Sequence, residues 1–224
     1  MLLVQRHQRI SSEFKVILKA LVDLYREPGN IDYVYDLEDG LRHSKAAVSA
    51  IDWLKMQPEI EQLIQERYIA PHPDIEQLLQ YPQTSLGYAY ASYIKKSGFD
   101  PGFYRQLKIE DDISYIILRV RQTHDIWHVI TDFKTDVLGE IGIKAFEMAQ
   151  TRRSLAFVIV GGGLLSILIK YPDLLPNLLE QITLGYKMGL AAKPLLAQKW
   201  EEQWDKSLSD WRTELYIQPA SFNS

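Results

Sequence analysis

The sequence contains no cysteine, so neither a disulfide framework nor a thiolate metal site is available to it. It has no apolar run of the roughly 20 residues that a membrane-spanning helix needs, because the uncharged, apolar segment 154–169 has only sixteen. The formal net charge is −4 and basic residues form no dense block, which excludes nucleic acid as a partner. The short apolar run after Met1 argues against a secretory signal, and the lack of cysteine fits a reducing compartment.

The chain has 224 residues, 46% of them hydrophobic, which suits one globular domain with a substantial core. Apolar residues recur at spacings of three and four along most of it, and this predicts an all-α, single-domain multi-helix bundle. The predicted helices cover residues 11–26, 37–56, 59–68, 74–80, 84–97, 110–133, 136–153, 178–192 and 194–217. Tryptophans at helical spacing in the last of these are expected in the core or in a dimer contact.

The uncharged segment 154–169 has two interpretations. It is either a buried central helix, or an apolar wall of a hydrophobic cavity against which a lipid tail lies. In the second case Gly161, Gly162 and Gly163 permit close approach of that tail.

The stretch 124–140 carries the residues on which a functional interpretation depends. His124 and His128 are four positions apart, so a helix places both imidazoles on one face with Asp125 beside them. Glu140 follows His128 by twelve positions, about 18 Å along one straight helix, which is too far for a shared ion. A polar interval between them predicts a turn, and a second helix folded back would bring Glu140 to face the histidines.

Two imidazoles with one or two carboxylates form a plausible shell for a divalent metal and leave a position open for chemistry. Zinc is the expected ion, with iron, manganese and magnesium as alternatives. The competing interpretation is a pair of ordinary helix histidines beside surface acids. Asp125 stands where the zincin motif has a glutamate, which argues against a peptidase; it either binds the metal or orients water as a catalytic residue.

Tyr90 and Tyr93 lie on a predicted helix and offer apolar rings with polar tips. They are candidates for lining an amphiphilic substrate pocket, and ordinary packing is the alternative.

The pattern of His124, Asp125, two residues, His128, eleven residues and Glu140 resembles the signature of the coenzyme Q (ubiquinone) biosynthesis protein 4 family. Further blocks that look like family sequence are residues 85–94, 114–130, 137–150 and 182–215. Residues 82–217 therefore carry most of the likeness.

This resemblance implies an all-helical, metal-binding protein that acts on a polyprenylated aromatic acid within a complex of other quinone-biosynthesis proteins. It implies removal of the ring carboxyl group with introduction of oxygen at that carbon. It also implies a position at a membrane surface, on the cytoplasmic side of a bacterial inner membrane or on the matrix face of the mitochondrial one. We further expect a homodimer. The alternative is a noncatalytic lipid-binding scaffold for a quinone-biosynthesis complex, with a structural metal.

Arg121 and Lys144 lie about one turn from the expected ligands. They are candidates for pairing with the anionic headgroup of the substrate, and solvated surface charge is the alternative.

Overall fold

The computed structural model describes residues 12–27, 30–102 and 104–220. Within those ranges it is all-α, and an isolated bridge between Ser85 and Ser207 is the only strand-like pairing. The helices are α1 (Ser12–Arg26), α2 (Ile31–Leu41), α3 (Lys45–Lys55), α4 (Pro58–Glu66), α5 (Ile75–Leu78), α6 (Leu86–Ser97), α7 (Asp112–Thr131), α8 (Val137–Thr151), α9 (Ser154–Lys170), α10 (Leu175–Ala191) and α11 (Leu208–Glu214). The predicted fold class is confirmed. Residue 11, assigned by pattern to the first helix, lies outside the described residues.

The central element is α7, in which 13 of 20 residues are buried. It begins with a capping box, because the Asp111 carboxylate accepts from the Ser114 amide at 2.7 Å and the Ser114 hydroxyl accepts from the Asp111 amide at 2.9 Å. Residues 115–120 are all buried, and six consecutive residues cover every side of a helix. The main core therefore surrounds α7, which makes it a rigid support for any side chain that it carries.

The prediction of a buried central helix at 154–169 is wrong, because α9 lies at the periphery. Phe157, Leu165 and Leu168 on α9 are each about half exposed, at 51%, 48% and 53%. Its inner side packs on α8 and α1. Among the described helices none is both long and apolar enough to span a bilayer.

Helices α8 and α10 pack more closely than side chains would permit. A Cβ atom at Gly185 would lie 2.0 Å from the Gly142 carbonyl oxygen, and one at Gly189 would lie 2.7 Å from that of Phe146. The two backbones are therefore in direct contact, which only glycine at these α10 positions permits.

Two predicted helices are wrong in their extent. Residues 37–56 form parts of α2 and α3, because Ser44 begins a new helix by accepting a hydrogen bond from the Ala47 amide at 3.1 Å. Residues 194–217 form two short 3₁₀ turns and then α11, with the tryptophans in the core as one alternative had it. Trp200 and Trp211 are buried with ring centroids 4.7 Å apart, so the segment folds around them.

Candidate metal centre

A tight turn joins α7 to α8 at the predicted place. Asp132 takes a left-handed conformation with φ of 60°, and its amide donates to the His128 carbonyl oxygen at 2.8 Å, which ends α7. Asp136 then begins α8, because its carboxylate accepts from the Gly139 amide at 2.9 Å. The two aspartates explain why the chain reverses within five residues.

The turn brings Glu140 opposite both histidines, as the sequence predicts. Glu140 Oε1 lies 3.2 Å from His128 Nε2, and Glu140 Oε2 lies 3.7 Å from His124 Nε2. The two Nε2 atoms are 3.3 Å apart. The three ligand atoms lie within 4.8 Å of one another, and within the described residues this is the one group of three or more such side chains suited to a metal ion.

Neighbouring groups fix the orientation of His128. Its Nδ1 lies 2.9 Å from the Phe133 carbonyl oxygen, which only accepts, so Nδ1 carries the proton. Nε2 then faces Glu140 and His124, and it is available to a cation when it carries no proton. The ring of Tyr93 stacks on a face of the His128 ring, with the ring centroids 6.0 Å apart. A carbonyl behind a histidine is the usual means of preparing it as a metal ligand.

The site is closed behind His128 and open beside Glu140. The His128 side chain is 1% exposed, whereas those of His124 and Glu140 are 27% and 40% exposed. A molecule can therefore approach from the solvent side while the deeper ligand stays fixed.

The three groups perturb one another's pKa values. Burial and the positive charge of Lys144 lower the pKa of His124. Burial also opposes protonation of His128, but the Glu140 carboxylate and the Phe133 carbonyl outweigh it and raise the pKa of that imidazole. Burial alone would raise the pKa of Glu140, yet the two imidazoles bring it well below its ordinary value. The carboxylate is therefore ionised at neutral pH, as a ligand must be.

This donor set fits a divalent ion. Two imidazole nitrogens and one carboxylate oxygen suit zinc or iron(II), and they leave coordination positions open. The Nε2 atoms of the two histidines are 3.3 Å apart, so one cation can take both as ligands once neither nitrogen carries a proton.

Asp125 is not part of the group whose ligand atoms converge. It is half-buried on α7. The pKa values of Tyr90 and Tyr93 are raised mainly by the burial of these two tyrosines and secondly by the negative charge of Asp125. Its proximity to these hydroxyls agrees better with an acid beside the site than with a ligand in it. Both roles given to Asp125 stay predictions.

The two candidate tyrosines have different surroundings. Tyr90 is buried and stacks on Trp204 with centroids 5.2 Å apart, as packing alone would explain. Tyr93, on the ring of His128, has a buried hydroxyl group without a hydrogen-bond partner in the described structure. Such a donor costs stability unless something pairs with it, so Tyr93 is the stronger candidate for a substrate contact.

Neither candidate cation is a solvated surface charge. Lys144 Nζ lies 2.7 Å from Glu147, which also binds Arg153 at 3.1 Å. Arg153 and Arg121 both pair with Glu38, the latter through its Nε at 2.9 Å. These ion pairs form a continuous network that begins at Lys144 on α8 and ends at Glu38 on α2. The sequence analysis did not identify Glu38, Glu147 and Arg153. The available signal was a charged residue at a position where the helical pattern predicts burial.

Gly161 and Gly162 lie on α9, apart from the His–Glu group in sequence. A Cβ atom at Gly161 would meet nothing within 4 Å, whereas one at Gly162 would lie 2.9 Å from Leu21 of α1. The space at Gly162 is therefore filled by α1, whereas the space at Gly161 is open to another molecule. The lipid wall and its hydrophobic cavity stay predictions.

Residues 25–221 match a family model described as Coenzyme Q (ubiquinone) biosynthesis protein Coq4. A mitochondrial ubiquinone biosynthesis protein COQ4 of Kluyveromyces lactis is 34% identical over 150 residues, covering 65% of this chain and 44% of that protein. The mitochondrial homolog of Rattus norvegicus is 30% identical over 172 residues, with coverages of 75% and 64%. The chain spans about half the length of the curated relatives that it matches.

A crystal structure of a candidate ubiquinone biosynthesis protein from Nostoc punctiforme has the same fold, with a TM-score of 0.84 and 34% identity. The likeness covers 91% of this chain and 96% of that one.

Proposed function

Because this chain belongs to the coenzyme Q (ubiquinone) biosynthesis protein Coq4 family, we propose that it binds a polyprenylated aromatic acid and removes the carboxyl group from its ring. The observation that supports this most directly is the convergence of His124, His128 and Glu140 on one point, with one side open to solvent. The proposal extends to association with a membrane surface and with other quinone-biosynthesis proteins, and to a homodimer.

His124, His128 and Glu140 are proposed to hold a divalent ion, zinc in the first place. Such an ion supplies Lewis acidity toward the substrate carboxylate and the adjacent ring oxygen. Zinc has no redox chemistry of its own, so the variant of the reaction that adds oxygen to the ring requires dioxygen as oxidant and either iron(II) or a readily oxidised phenol.

The remaining steps belong to side chains of the protein. In the simple reaction the bond between ring and carboxyl carbon breaks, carbon dioxide leaves, and the ring carbon keeps the electron pair and takes up a proton. Asp125, adjacent to the ligands, is proposed to orient the water that delivers this proton. The phenol of Tyr93 stays protonated because burial raises its pKa, so it is able to donate a hydrogen bond to a substrate oxygen.

Lys144 and Arg121 are proposed to contribute positive charge near the candidate metal centre. Lys144 raises the positive potential at His124 and is proposed to pair directly with the anionic headgroup. Arg121 is bound to Glu38 and has a 7% exposed side chain, so its proposed part is to hold the buried network in place. Tyr90 would form the wall behind Tyr93.

The polyprenyl tail is proposed to lie along the exposed apolar side of α9. Phe157 and Leu165 flank the open position at Gly161 there, with Gly162 on the adjoining side. An extended tail of this kind gains free energy in proportion to the apolar area that it covers.

The test is release of carbon dioxide from a short-chain prenylated hydroxybenzoate labelled with ¹³C in its carboxyl group. Protein stripped with a chelator is reloaded separately with zinc, iron(II), manganese or magnesium, with and without dioxygen. Glu140→Gln and His128→Asn should abolish release, whereas His43→Ala, which removes an exposed histidine outside the group, should keep it. Absence of release with all four ions would reject the catalytic proposal.

The second candidate function is a noncatalytic scaffold that presents quinone precursors to partner enzymes. The apolar residues that α9 and α10 expose favour it, among them Leu168 at 53% and Leu190 at 63%. In cells that lack their own family member, a folded His124→Ala variant that sustains full quinone production would support the scaffold. Loss of production by the same folded variant would support catalysis.

A further inference from the structure

The last turn of α7 is bonded to α11 by the side chain of Arg212. Its Nε donates to the Ile130 carbonyl oxygen at 2.9 Å, and its Nη2 donates to the Val129 carbonyl oxygen at 3.0 Å. The final carbonyl groups of a helix have no partner inside that helix, so they need one from elsewhere. Val129 and Ile130 directly follow the proposed ligand His128 in the chain. Arg212, which is 82 positions after Ile130, therefore completes the helix end that carries this ligand.

Local bonds satisfy the neighbouring carbonyl groups of the same turn. The Trp127 carbonyl oxygen accepts from the Thr131 hydroxyl at 2.6 Å, and the His128 carbonyl oxygen accepts from the Asp132 amide at 2.8 Å. The two oxygens that Arg212 holds differ, because their partner is a side chain of another helix. One planar guanidinium group makes both bonds, so it fixes the direction of this turn as well as its position.

The imidazole of His128 depends on the same turn. Its Nδ1 donates to the carbonyl oxygen of Phe133, which follows the end of α7 by two residues. The carbonyl groups of Val129 and Ile130 lie between His128 and Phe133 along the chain. A turn that is free to fray would therefore change the direction in which Nε2 faces Glu140.

The chain around Arg212 is also bonded to the residues that precede α6. The amide of Leu208, the first residue of α11, donates to the Thr84 carbonyl oxygen at 2.8 Å. Helix α6 carries Tyr93, whose ring stacks on that of His128. Arg212 thus belongs to a segment that is bonded to both of the chain regions that meet at this stack.

We infer that Arg212 is a positioning residue of the candidate metal centre, which acts on His128 through the last turn of α7. The inference rests on the proposed function, in which His128 holds a divalent ion. Both bonds of Arg212 end on main-chain oxygens, so its effect on the ligand is geometric. Its charge alone would act in the opposite direction, because a nearby positive charge disfavours a bound cation. Removal of Arg212 should therefore weaken metal binding, whereas a purely electrostatic effect would strengthen it.

The zinc affinity of the full chain, measured by calorimetry, tests the direction of this effect. Arg212→Met should bind zinc about tenfold more weakly than wild type, as for loss of other groups that support a ligand. Arg212→Lys keeps the charge but lacks the fork of donors, so its affinity should lie between those two. The matched control is Lys55→Met, which removes a cation from the other end of α7, where it pairs with Asp112 at 2.7 Å. The zinc affinity of this control should equal that of wild type.

Two further measurements separate position from stability. Cobalt(II) takes the place of zinc in such sites and absorbs visible light in a way that depends on ligand geometry, so the spectrum should change in Arg212→Met and not in Lys55→Met. In metal-free protein the Asp132 amide reports on the last turn of α7, and the Tyr115 amide, which donates to the Asp111 carbonyl oxygen at 3.1 Å, reports on the first. Hydrogen exchange at Asp132 should become about tenfold faster relative to Tyr115 in Arg212→Met, because the opening is local.

The inference is overturned if wild type binds zinc and Arg212→Met binds it as tightly or more tightly. An equal loss of affinity in Lys55→Met, or an unchanged ratio of exchange rates in Arg212→Met, would overturn it as well. Failure of wild type to bind zinc would instead reject the metal centre of the proposed function, and this inference with it. Should Arg212→Met not fold, Arg212→Lys decides, and wild-type affinity in that variant would contradict the positioning role.

Discussion

The Nδ1–H group of His128 donates a 2.9 Å hydrogen bond to the Phe133 carbonyl oxygen, five residues further along the chain. This bond joins the end of α7 to the turn that follows it, so the turn and the imidazole orient each other. Nε2 then faces Glu140 at the start of α8. The geometry of the candidate metal centre thus depends on backbone atoms of the turn as well as on its three side chains.

Gly139→Ala should disturb this turn. A Cβ atom there would lie 2.1 Å from the Lys134 carbonyl oxygen, a backbone atom that moves only if the turn moves. We expect zinc affinity measured by calorimetry to fall about 10- to 100-fold, as for loss of a supporting contact behind a ligand. Gly161→Ala is the matched control, because its Cβ atom meets nothing and alanine favours a helix by about 1 kcal/mol. Unchanged affinity in Gly139→Ala would contradict the coupling of turn and site.

Metal should stabilise the fold through Glu140. Zinc at a free concentration of one hundred times its Kd should add about 2.7 kcal/mol to the free energy of unfolding, and removal by a chelator should reverse this. Glu140→Gln keeps the size of the side chain but removes its charge, so the zinc-dependent part should largely disappear. Calorimetric scans of both proteins with zinc and with chelator measure the difference. Equal stabilisation of the two would show that the metal binds elsewhere.

Glu147→Gln should be strongly destabilising. The Glu147 side chain is 1% exposed and pairs with Lys144 at 2.7 Å and with Arg153 at 3.1 Å. Loss of its charge leaves buried cations without compensation, at a cost of about 3–5 kcal/mol in urea unfolding. Glu180→Gln, at an exposed position of α10, should change stability by less than about 0.5 kcal/mol.

The contribution of Glu147 should also depend on pH in one direction. Burial tends to raise the pKa of Glu147, but Lys144 and Arg153 outweigh it and hold the pKa below its ordinary value. A carboxylate with a lowered pKa in the folded state adds stability above its unfolded pKa of about 4.3, and this addition is lost as the pH falls through the folded value. The stability difference between wild type and Glu147→Gln should therefore be constant from pH 5 to 8 and shrink at more acidic pH. A difference that grew on acidification would be incompatible with this pairing.

Arg119 should attach the C-terminal segment to α7. Its fully buried guanidinium binds both carboxylate oxygens of Glu201, at 2.7 and 3.0 Å, and the Gln198 carbonyl oxygen at 2.7 Å. Arg119→Met should cost about 3–5 kcal/mol, because it leaves Glu201 buried without a partner. The double variant Arg119→Met/Glu201→Leu should cost less than the sum of the two single variants. Additive losses in a double-mutant cycle would rule out the direct interaction.

The candidate centre was predictable because its determinants are local. His124 and His128 share a face by spacing alone, and Asp132 and Asp136 are residue types that end and begin helices. The reversal that brings Glu140 back follows from this turn chemistry. The further partners of these residues come from other parts of the chain, so the stacking of Tyr93 on His128 had no sequence signal.

The failures have physical reasons of the same kind. Tryptophans at 200, 204 and 211 fit a helix by spacing, yet the chain there bonds to distant backbone, as when the Leu86 amide donates to the Lys206 carbonyl oxygen at 2.9 Å. The uncharged composition of α9 indicated a buried helix, but composition does not tell which elements pack on each side of a helix. One side of α9 is exposed. The break at Ser44 had a local signal, an N-cap residue type, which helical periodicity on both sides concealed.

Direct backbone contact between α8 and α10 has a mechanical consequence. Main-chain atoms have no alternative rotamers, so a displacement of α8 at Gly142 would act on α10 at Gly185 directly and not through a side chain. Glu140 stands half a turn from that point of contact, while Tyr186 and Leu190 lie on the outer side of α10, 40% and 63% exposed. The carboxylate of the candidate metal centre and the exposed apolar residues of α10 are therefore joined by a single contact between two main chains.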